Sequence, residues 1–131
     1  MFEWFRKKSA PLRGAPAVRR QKTYSALSGY VYQYFYEGQR PMSSQSGTEY
    51  VFNVSPDRKT SSQVSVLISD EAMQRWQQES GRTLSATEGY AIAKMALFQA
   101  FDERETPEAV SADVQVGPAD VRAILASLNI D

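Results

Sequence analysis

Tyrosine occupies every second position of one short segment near the start of the chain, at Tyr30, Tyr32, Tyr34 and Tyr36. Successive side chains of a β-strand point to opposite faces, so a strand here places all four rings on one face of a sheet. That face either packs against the rest of the domain or forms an exposed surface on which a ligand can stack. The burial of the tyrosines therefore decides which face of the sheet is available for binding.

The other face of the same strand is more polar. It carries Val31 and Phe35 but also Gln33 and Glu37. Because the more polar face of a sheet should contact water, we expect the tyrosines to pack against the core. Tyrosine suits such a position, since its ring can be buried while its hydroxyl reaches an edge. An exposed stacking surface is the alternative.

Three segments with a period of two predict an antiparallel meander. The tyrosine segment forms the first strand, over residues 24–37, with a bulge or a bend at Gly29. A serine-rich loop leads to the second strand, over residues 48–54, and a proline turn leads to the third, over residues 63–69. These links are short, which favours antiparallel pairing of neighbouring strands.

After the third strand, the apolar residues recur with a period of about 3.6 residues instead of two, which predicts helices. The first helix starts after Ser69 or Asp70 and runs to about Ser80. A capping-box pattern at residues 85–88 opens a strongly apolar helix over about 86–104, and a final helix begins near residue 118. The predicted fold is therefore α+β, a three-stranded antiparallel β-meander followed by two or three helices packed on one face.

The chain of 131 residues contains neither cysteine nor histidine. Disulfides, thiolate metal sites, thiol nucleophiles and imidazole bases are therefore excluded. The acidic residues after the long helix lack the ligand spacing of a calcium loop, and we interpret them as a solvated helix exit: they are Asp102, Glu103, Glu105 and Glu108. We expect no metal, no cofactor and no enzymatic activity.

The formal net charge is zero but unevenly distributed. Residues 1–22 contain seven basic residues and one acidic residue, a net charge of +6, which leaves −6 for residues 23–131. We therefore expect a basic, flexible arm over residues 1–22 and a single α+β domain over residues 23–131. A cationic arm can attract phosphate or an acidic partner, and the alternative is a solvated leader that maintains solubility.

No apolar run of 18 residues is present, so we expect no transmembrane segment and, by default, a cytoplasmic location. The start of the chain lacks the order of charges and apolar residues of a signal peptide. Its aromatic residues, Phe2, Trp4 and Phe5, form too short a cluster for a membrane anchor, and we expect no peripheral membrane contact.

The order of strand, helix, glycine turn and helix over residues 63–101 resembles the ribbon-helix-helix DNA-binding proteins. The resemblance rests on residues 64–71, Gly81 and Ser85. It implies that strands from two protomers pair and that their outward side chains read the major groove of DNA, here Gln63, Ser65 and Leu67. None of these three residues is basic, and we assign no family on this pattern.

A non-enzymatic protein-interaction domain is the function that the sequence favours. The helices should cover one face of the sheet, and the bare face would mediate self-association or docking of a partner. Its contact residues would be Val31, Phe35, Val51 and Leu67. The alternative is a nucleic-acid-binding module in which the arm contacts phosphates and the tyrosines stack on bases. Its residues would be Arg6, Lys7, Lys8, Arg19, Arg20, Lys22, Tyr30, Tyr32 and Tyr34.

Overall fold

The computed structural model describes residues 10–129 and shows an α+β fold built on one mixed sheet. Five strands lie side by side in chain order. Neighbouring strands are antiparallel except for the last pair, which is parallel. The strands are β1 (Lys22–Ser25), β2 (Val31–Pro41), β3 (Gly47–Ser55), β4 (Ser62–Ser69) and β5 (Val114–Val116).

Four helices follow or interrupt the strands: α1 (Asp70–Ser80), α2 (Ala86–Glu103), α3 (Pro107–Val110) and α4 (Pro118–Ser127). The Ser69 hydroxyl caps α1 by accepting a hydrogen bond from the Ala72 amide at 3.1 Å. Ser85 and Glu88 form the predicted capping box at the start of α2. Within residues 10–129, no helix has both the length and the apolar character needed to cross a bilayer.

The core lies between one face of the sheet and the helices. Tyr32, Phe52 and Val64 from the strands are fully buried against Ile92 and Leu97 of α2. Further buried side chains come from α1, α3 and α4, at Trp76, Val110 and Leu125. The predicted α+β class is confirmed, whereas residues 10–129 contain four helices instead of the predicted two or three.

The sheet is larger than the predicted meander. Residues 24–37 do not form one strand, because a tight turn around Gly29 divides them into β1 and β2. Gly29 has a φ of 100°, a conformation that glycine adopts without steric cost, and the Ala26 amide donates to the Tyr30 carbonyl across the turn at 2.9 Å. The irregularity in β2 lies instead between Tyr36 and Gly38, where the register to β3 shifts by one residue.

Strand β5 was not predicted, and it changes the environment of β4. It pairs in parallel with β4 through Val66, Leu67 and Ile68, while β3 occupies the other edge of β4. In a ribbon-helix-helix protein the corresponding strand pairs with a second protomer. Here both edges of β4 are occupied within one chain, so the pairing that the resemblance implies is not available.

The segment that precedes β1 is attached to the sheet at the bulge. Arg13 and Gln39 exchange two backbone hydrogen bonds, of 2.8 and 2.7 Å. Gly38 has a φ of 126°, and a Cβ atom at this position would lie 2.7 Å from the Arg13 carbonyl oxygen and 3.2 Å from the Leu12 Cβ. Glycine is therefore required both for the backbone conformation and for the close approach of the segment.

We predict that Gly38→Ala destabilises the protein more than Gly29→Ala does. Both substitutions place a Cβ at a positive φ, which costs on the order of 1–3 kcal/mol. Only Gly38→Ala also overlaps the Arg13 carbonyl, and overpacking of this kind costs about 1–3 kcal/mol more. No heavy atom lies within 4 Å of a Cβ at Gly29, so that variant is the matched control. Denaturant unfolding of both variants measures the difference, and equal losses would contradict the packing of the segment at Gly38.

Candidate functional site

Most of the tyrosine row is part of the core. Tyr32 is 0% exposed and Tyr34 is 3% exposed, whereas Tyr30, which precedes β2, is 39% exposed. The Tyr32 ring stacks on Phe101 of α2, with 4.3 Å between the ring centroids and 10° between the planes. The prediction that the tyrosines pack against the core is confirmed for Tyr32 and Tyr34, Tyr36 is partly buried against the core, and the prediction is wrong for Tyr30. The rings of Tyr32 and Tyr34 are consequently not available to stack on nucleic-acid bases.

The turn between β1 and β2 carries an exposed apolar patch. Its members are Leu27, which is 87% exposed, together with Tyr30 and Val31, which are 39% and 44% exposed. We call these three residues the hairpin patch. Only two other large apolar side chains are exposed in residues 10–129, Leu12 and Val18, so three of the five exposed large apolar side chains lie on this turn.

The backbone that carries the hairpin patch is held against the end of α2. The Asp102 carboxylate accepts a hydrogen bond from the Leu27 amide at 2.9 Å and another from the Tyr24 hydroxyl at 2.8 Å. The Ser28 hydroxyl donates to the Phe101 carbonyl at 2.9 Å. Asp102 was interpreted from the sequence as part of a solvated helix exit, but it anchors the turn. It holds the backbone of Leu27 in place while the Leu27 side chain faces solvent.

The sheet face opposite the helices, which we call the outer face, is less bare than predicted. Val51 is only 1% exposed, and Phe35 lies beneath the Arg19 guanidinium, whose carbon is 3.7 Å from the ring centroid. Arg19 also pairs with Glu37 at 3.1 Å. Leu67 is half-buried. Of the four residues predicted to contact a partner, Val31 is thus the most exposed, and it also belongs to the hairpin patch.

The expectation of a bare outer face is wrong at Val51, which is buried, and the segment before β1 lies against the neighbouring Gly38. Gly38 is the cross-strand neighbour of Val51, and Leu12 and Arg13 approach Gly38 on that side. Even the polar residues Gln33 and Ser65 are only 6% exposed. Counting polar residues in β2 could not show this, because the covering residues come from a different part of the chain.

An ion pair with a hydrogen-bonded serine lies on the outer face beside Val51. Arg40 donates to both carboxylate oxygens of Glu49, at 3.0 and 3.3 Å, and the Ser65 hydroxyl donates to Glu49 at 2.5 Å. Burial alone would raise the pKa of Glu49, but the hydrogen bonds from Arg40 and Ser65 and the charge of Arg40 together lower it. The carboxylate is therefore charged at neutral pH and fixes β2, β3 and β4 to one another.

Of the basic residues predicted to contact nucleic acid, the structure describes Arg19, Arg20 and Lys22. Arg6, Lys7 and Lys8 lie outside the described residues. Arg19 is engaged with Phe35 and Glu37, whereas Arg20 and Lys22 are exposed beside a cavity described below. In the part of the chain that the structure describes, no group of three or more acidic side chains could hold a metal ion.

No protein-family model, no curated protein and no solved structure matches this chain. The candidate site must therefore be judged by its geometry alone. By that criterion it is the hairpin patch with its Asp102 anchor. Of these residues, the sequence prediction had included Val31 as a protein contact and Tyr30 only in the nucleic-acid alternative. Leu27 was missed, although an apolar residue next to Ser28 and Gly29 in a turn is a signal of exposure.

We predict that Tyr32→Phe stabilises the protein and that Tyr24→Phe destabilises it. The buried Tyr32 hydroxyl has no hydrogen-bond partner within residues 10–129, so its removal should recover about 1–2 kcal/mol of desolvation free energy. Tyr24→Phe keeps the ring that stacks on Phe98 but loses the hydrogen bond to Asp102, which should cost about 1–2 kcal/mol. Chemical denaturation measures both changes, and a destabilised Tyr32→Phe would indicate that the hydroxyl has a partner.

We predict that Glu49→Gln lowers the free energy of unfolding by about 1–2 kcal/mol at pH 7, since a charged hydrogen-bonded pair is lost. The pKa of Glu49 is lower in the folded state, so its stabilisation is complete above the ordinary value of 4.5 and is lost as the pH falls through the folded-state pKa. The difference between the two proteins should therefore shrink in acid below about pH 4.5. Urea unfolding at several pH values tests this, and a difference that is constant down to about pH 3 would refute it.

Proposed function

We propose that this protein is a small non-enzymatic interaction domain that self-associates through the β1 side of its sheet, with the hairpin patch in the contact. The observation that carries the proposal is the combination of exposed apolar side chains with a fixed backbone. Leu27, Tyr30 and Val31 are exposed within five residues of each other, and the turn that carries them is tied to α2. Exposed apolar surface of this kind is typical of interfaces.

The anchoring of the turn favours binding on energetic grounds. Association loses affinity when loops must be ordered on contact, and a turn that is already ordered avoids that loss. Asp102 and the Phe101 carbonyl provide three hydrogen bonds to the turn and to the adjacent Tyr24. The hairpin patch can therefore bury apolar surface with little rearrangement of the backbone.

A second copy of the chain is the partner that β1 fits best. Among residues 10–129, β1 pairs only with β2, so its other edge has no strand partner. An edge strand can pair with an identical strand about a two-fold axis, because such a contact is self-complementary. In a centred antiparallel pair of β1 strands, Lys22 faces Ser25 and Thr23 faces Tyr24, so no like charges stand opposite each other.

Of the remaining residues predicted to contact a partner, Phe35 lies on the strand next to β1 and would be at the margin of this interface, whereas Leu67 lies two strands further away on β4. Phe35 and Leu67 are partly exposed on the outer face, on the same side of the sheet as Val31. Val51 would act by supporting that face from within, since it is buried. We also propose a cytoplasmic location, on the sequence grounds given above.

We predict that the protein is dimeric at about 10–100 μM, a range expected for an interface of modest affinity, and that Leu27→Asp makes it monomeric. A new carboxylate in an apolar contact must be desolvated on association, which should weaken the dimer at least tenfold. Sedimentation equilibrium of the full chain measures the dissociation constant.

Ala123→Asp is the matched control for this experiment. It introduces the same charge at an exposed position of α4, on a different element, and should leave the dissociation constant unchanged. A wild-type protein that is monomeric throughout the concentration range would refute self-association. A dimer that Leu27→Asp does not weaken would exclude the hairpin patch from the interface.

A further inference from the structure

A cavity of about 410 Å³ lies between the segment that precedes β1 and the tyrosine side of the sheet. Its volume falls within the range of roughly 300–1,000 Å³ that small-molecule sites occupy. Aromatic residues of β2 and α2 line one side, and residues of the preceding segment and the start of β1 line the other. The residues that the argument uses are Tyr34, Tyr36, Tyr90, Arg20 and Lys22.

The aromatic side of the cavity is held in place by the core. The ring centroids of Tyr36 and Tyr90 are 4.7 Å apart, and the Tyr34 ring meets Phe98 edge-on with 5.7 Å between centroids. Tyr36 also contacts Phe52, at 5.4 Å between centroids. A flat apolar group entering the cavity would therefore meet ring surfaces that are already ordered.

Within the described residues, two of the three tyrosine hydroxyls at the cavity have no hydrogen-bond partner, and the third makes one long hydrogen bond. Within residues 10–129, the hydroxyls of Tyr34 and Tyr90 make no hydrogen bond, and that of Tyr36 is 3.5 Å from the Gln39 side-chain oxygen. Burial, with smaller contributions from neighbouring tyrosines, raises the pKa of Tyr34 and of Tyr36 to about 12. These hydroxyls remain protonated at neutral pH and can donate to an acceptor.

The opposite side of the cavity is positively charged. Arg20 and Lys22 are exposed, and neither forms an ion pair with an acidic side chain of residues 10–129. Arg19, next to them in the chain, is by contrast paired with Glu37. No acidic residue lines the cavity within the described part of the chain. An anion placed there would meet two cations without displacing an acidic partner from residues 10–129.

We propose that this cavity binds a small organic anion, a phosphate monoester or a carboxylate attached to a flat apolar group. The apolar group lies against the rings of Tyr36 and Tyr90, with the nearly buried Tyr34 at the edge of the cavity, and the acid group is directed to Arg20 and Lys22. A ligand needs both the acid group and the apolar group to bind tightly. Exposed cations alone attract any anion weakly, and the tyrosine surface alone offers no charge selectivity. This site shares Lys22 with the proposed β1 pairing edge but no residue with the hairpin patch, and it takes no residue from a second copy, so it does not depend on self-association.

Isothermal titration of the full chain with four probes tests the proposal. Phenyl phosphate and phenylacetate carry both an acid group and an aromatic ring. Inorganic phosphate carries only the acid group, and benzyl alcohol carries only the ring. We expect at least one aromatic anion to bind with a dissociation constant below about 1 mM and at least tenfold more tightly than the other two probes. The tighter of the two aromatic anions identifies which acid group the site prefers.

Variants of the chain locate the binding. The double substitution Arg20→Gln with Lys22→Gln should weaken the aromatic anion at least tenfold. The matched control is Arg58→Gln with Lys59→Gln, which removes the same charge from the exposed turn between β3 and β4 and should have no effect on affinity. Tyr90→Phe should weaken binding by a few fold, because it removes a hydroxyl donor while keeping the ring. Circular dichroism confirms that each variant remains folded.

Three results would overturn the proposal. The first is the absence of binding by both aromatic anions at about 5 mM, well above the expected dissociation constant. The second is equal affinity for phenyl phosphate and inorganic phosphate, which would leave no role for the tyrosines. The third is an equal loss of affinity in the Arg58/Lys59 control, which would show attraction to the overall charge of the protein rather than to the cavity.

Discussion

The contact between β2 and α2 is the interaction on which the rest of the structure depends. Tyr32 stacks on Phe101, and Tyr34 packs edge-on against Phe98 one turn earlier in the same helix. These rings fix the sheet to its longest helix and exclude water from between them. The residue after Phe101 is Asp102, so the same contact sets where the anchor of the β1–β2 turn lies. The hairpin patch and the aromatic side of the cavity therefore both derive their positions from this packing.

The two sides of the sheet consequently differ in character. The helix side is apolar, and the cavity opens on it beside Tyr90. The outer face is held by Arg40 and Glu49 and is approached by the segment that contains Arg13 and Arg19. Three of the five exposed large apolar side chains of residues 10–129 lie at the β1–β2 turn, whereas the sequence predicted that the centre of the outer face would be exposed.

Elements with a regular period could be predicted from the sequence, whereas elements that depend on tertiary context could not. The bounds of α1 and α2 followed from Ser69 and from the capping box at Ser85, because these signals are local. Strand β5 has three residues, too few to show alternation, and it is stabilised by pairing with β4. For the candidate site, Val31 was identified, but the role of Asp102 depends on a turn 75 residues earlier in the chain. A carboxylate in a charged run carries no sequence signal that distinguishes such an anchor from a solvated residue.

The bulge at Gly38 determines which residues of β2 face the helices. Before the bulge, even-numbered residues such as Tyr34 and Tyr36 lie on the helix side, opposite Val54 and Phe52. After it, the odd-numbered Gln39 lies on that side, opposite Tyr50, and Arg40 lies opposite Glu49. A β2 strand of unbroken alternation would direct the Arg40 guanidinium into the apolar interior. One additional residue in the strand thus reverses the parity of the pattern and allows a sequence with an aromatic beginning and a charged end to form a single continuous strand.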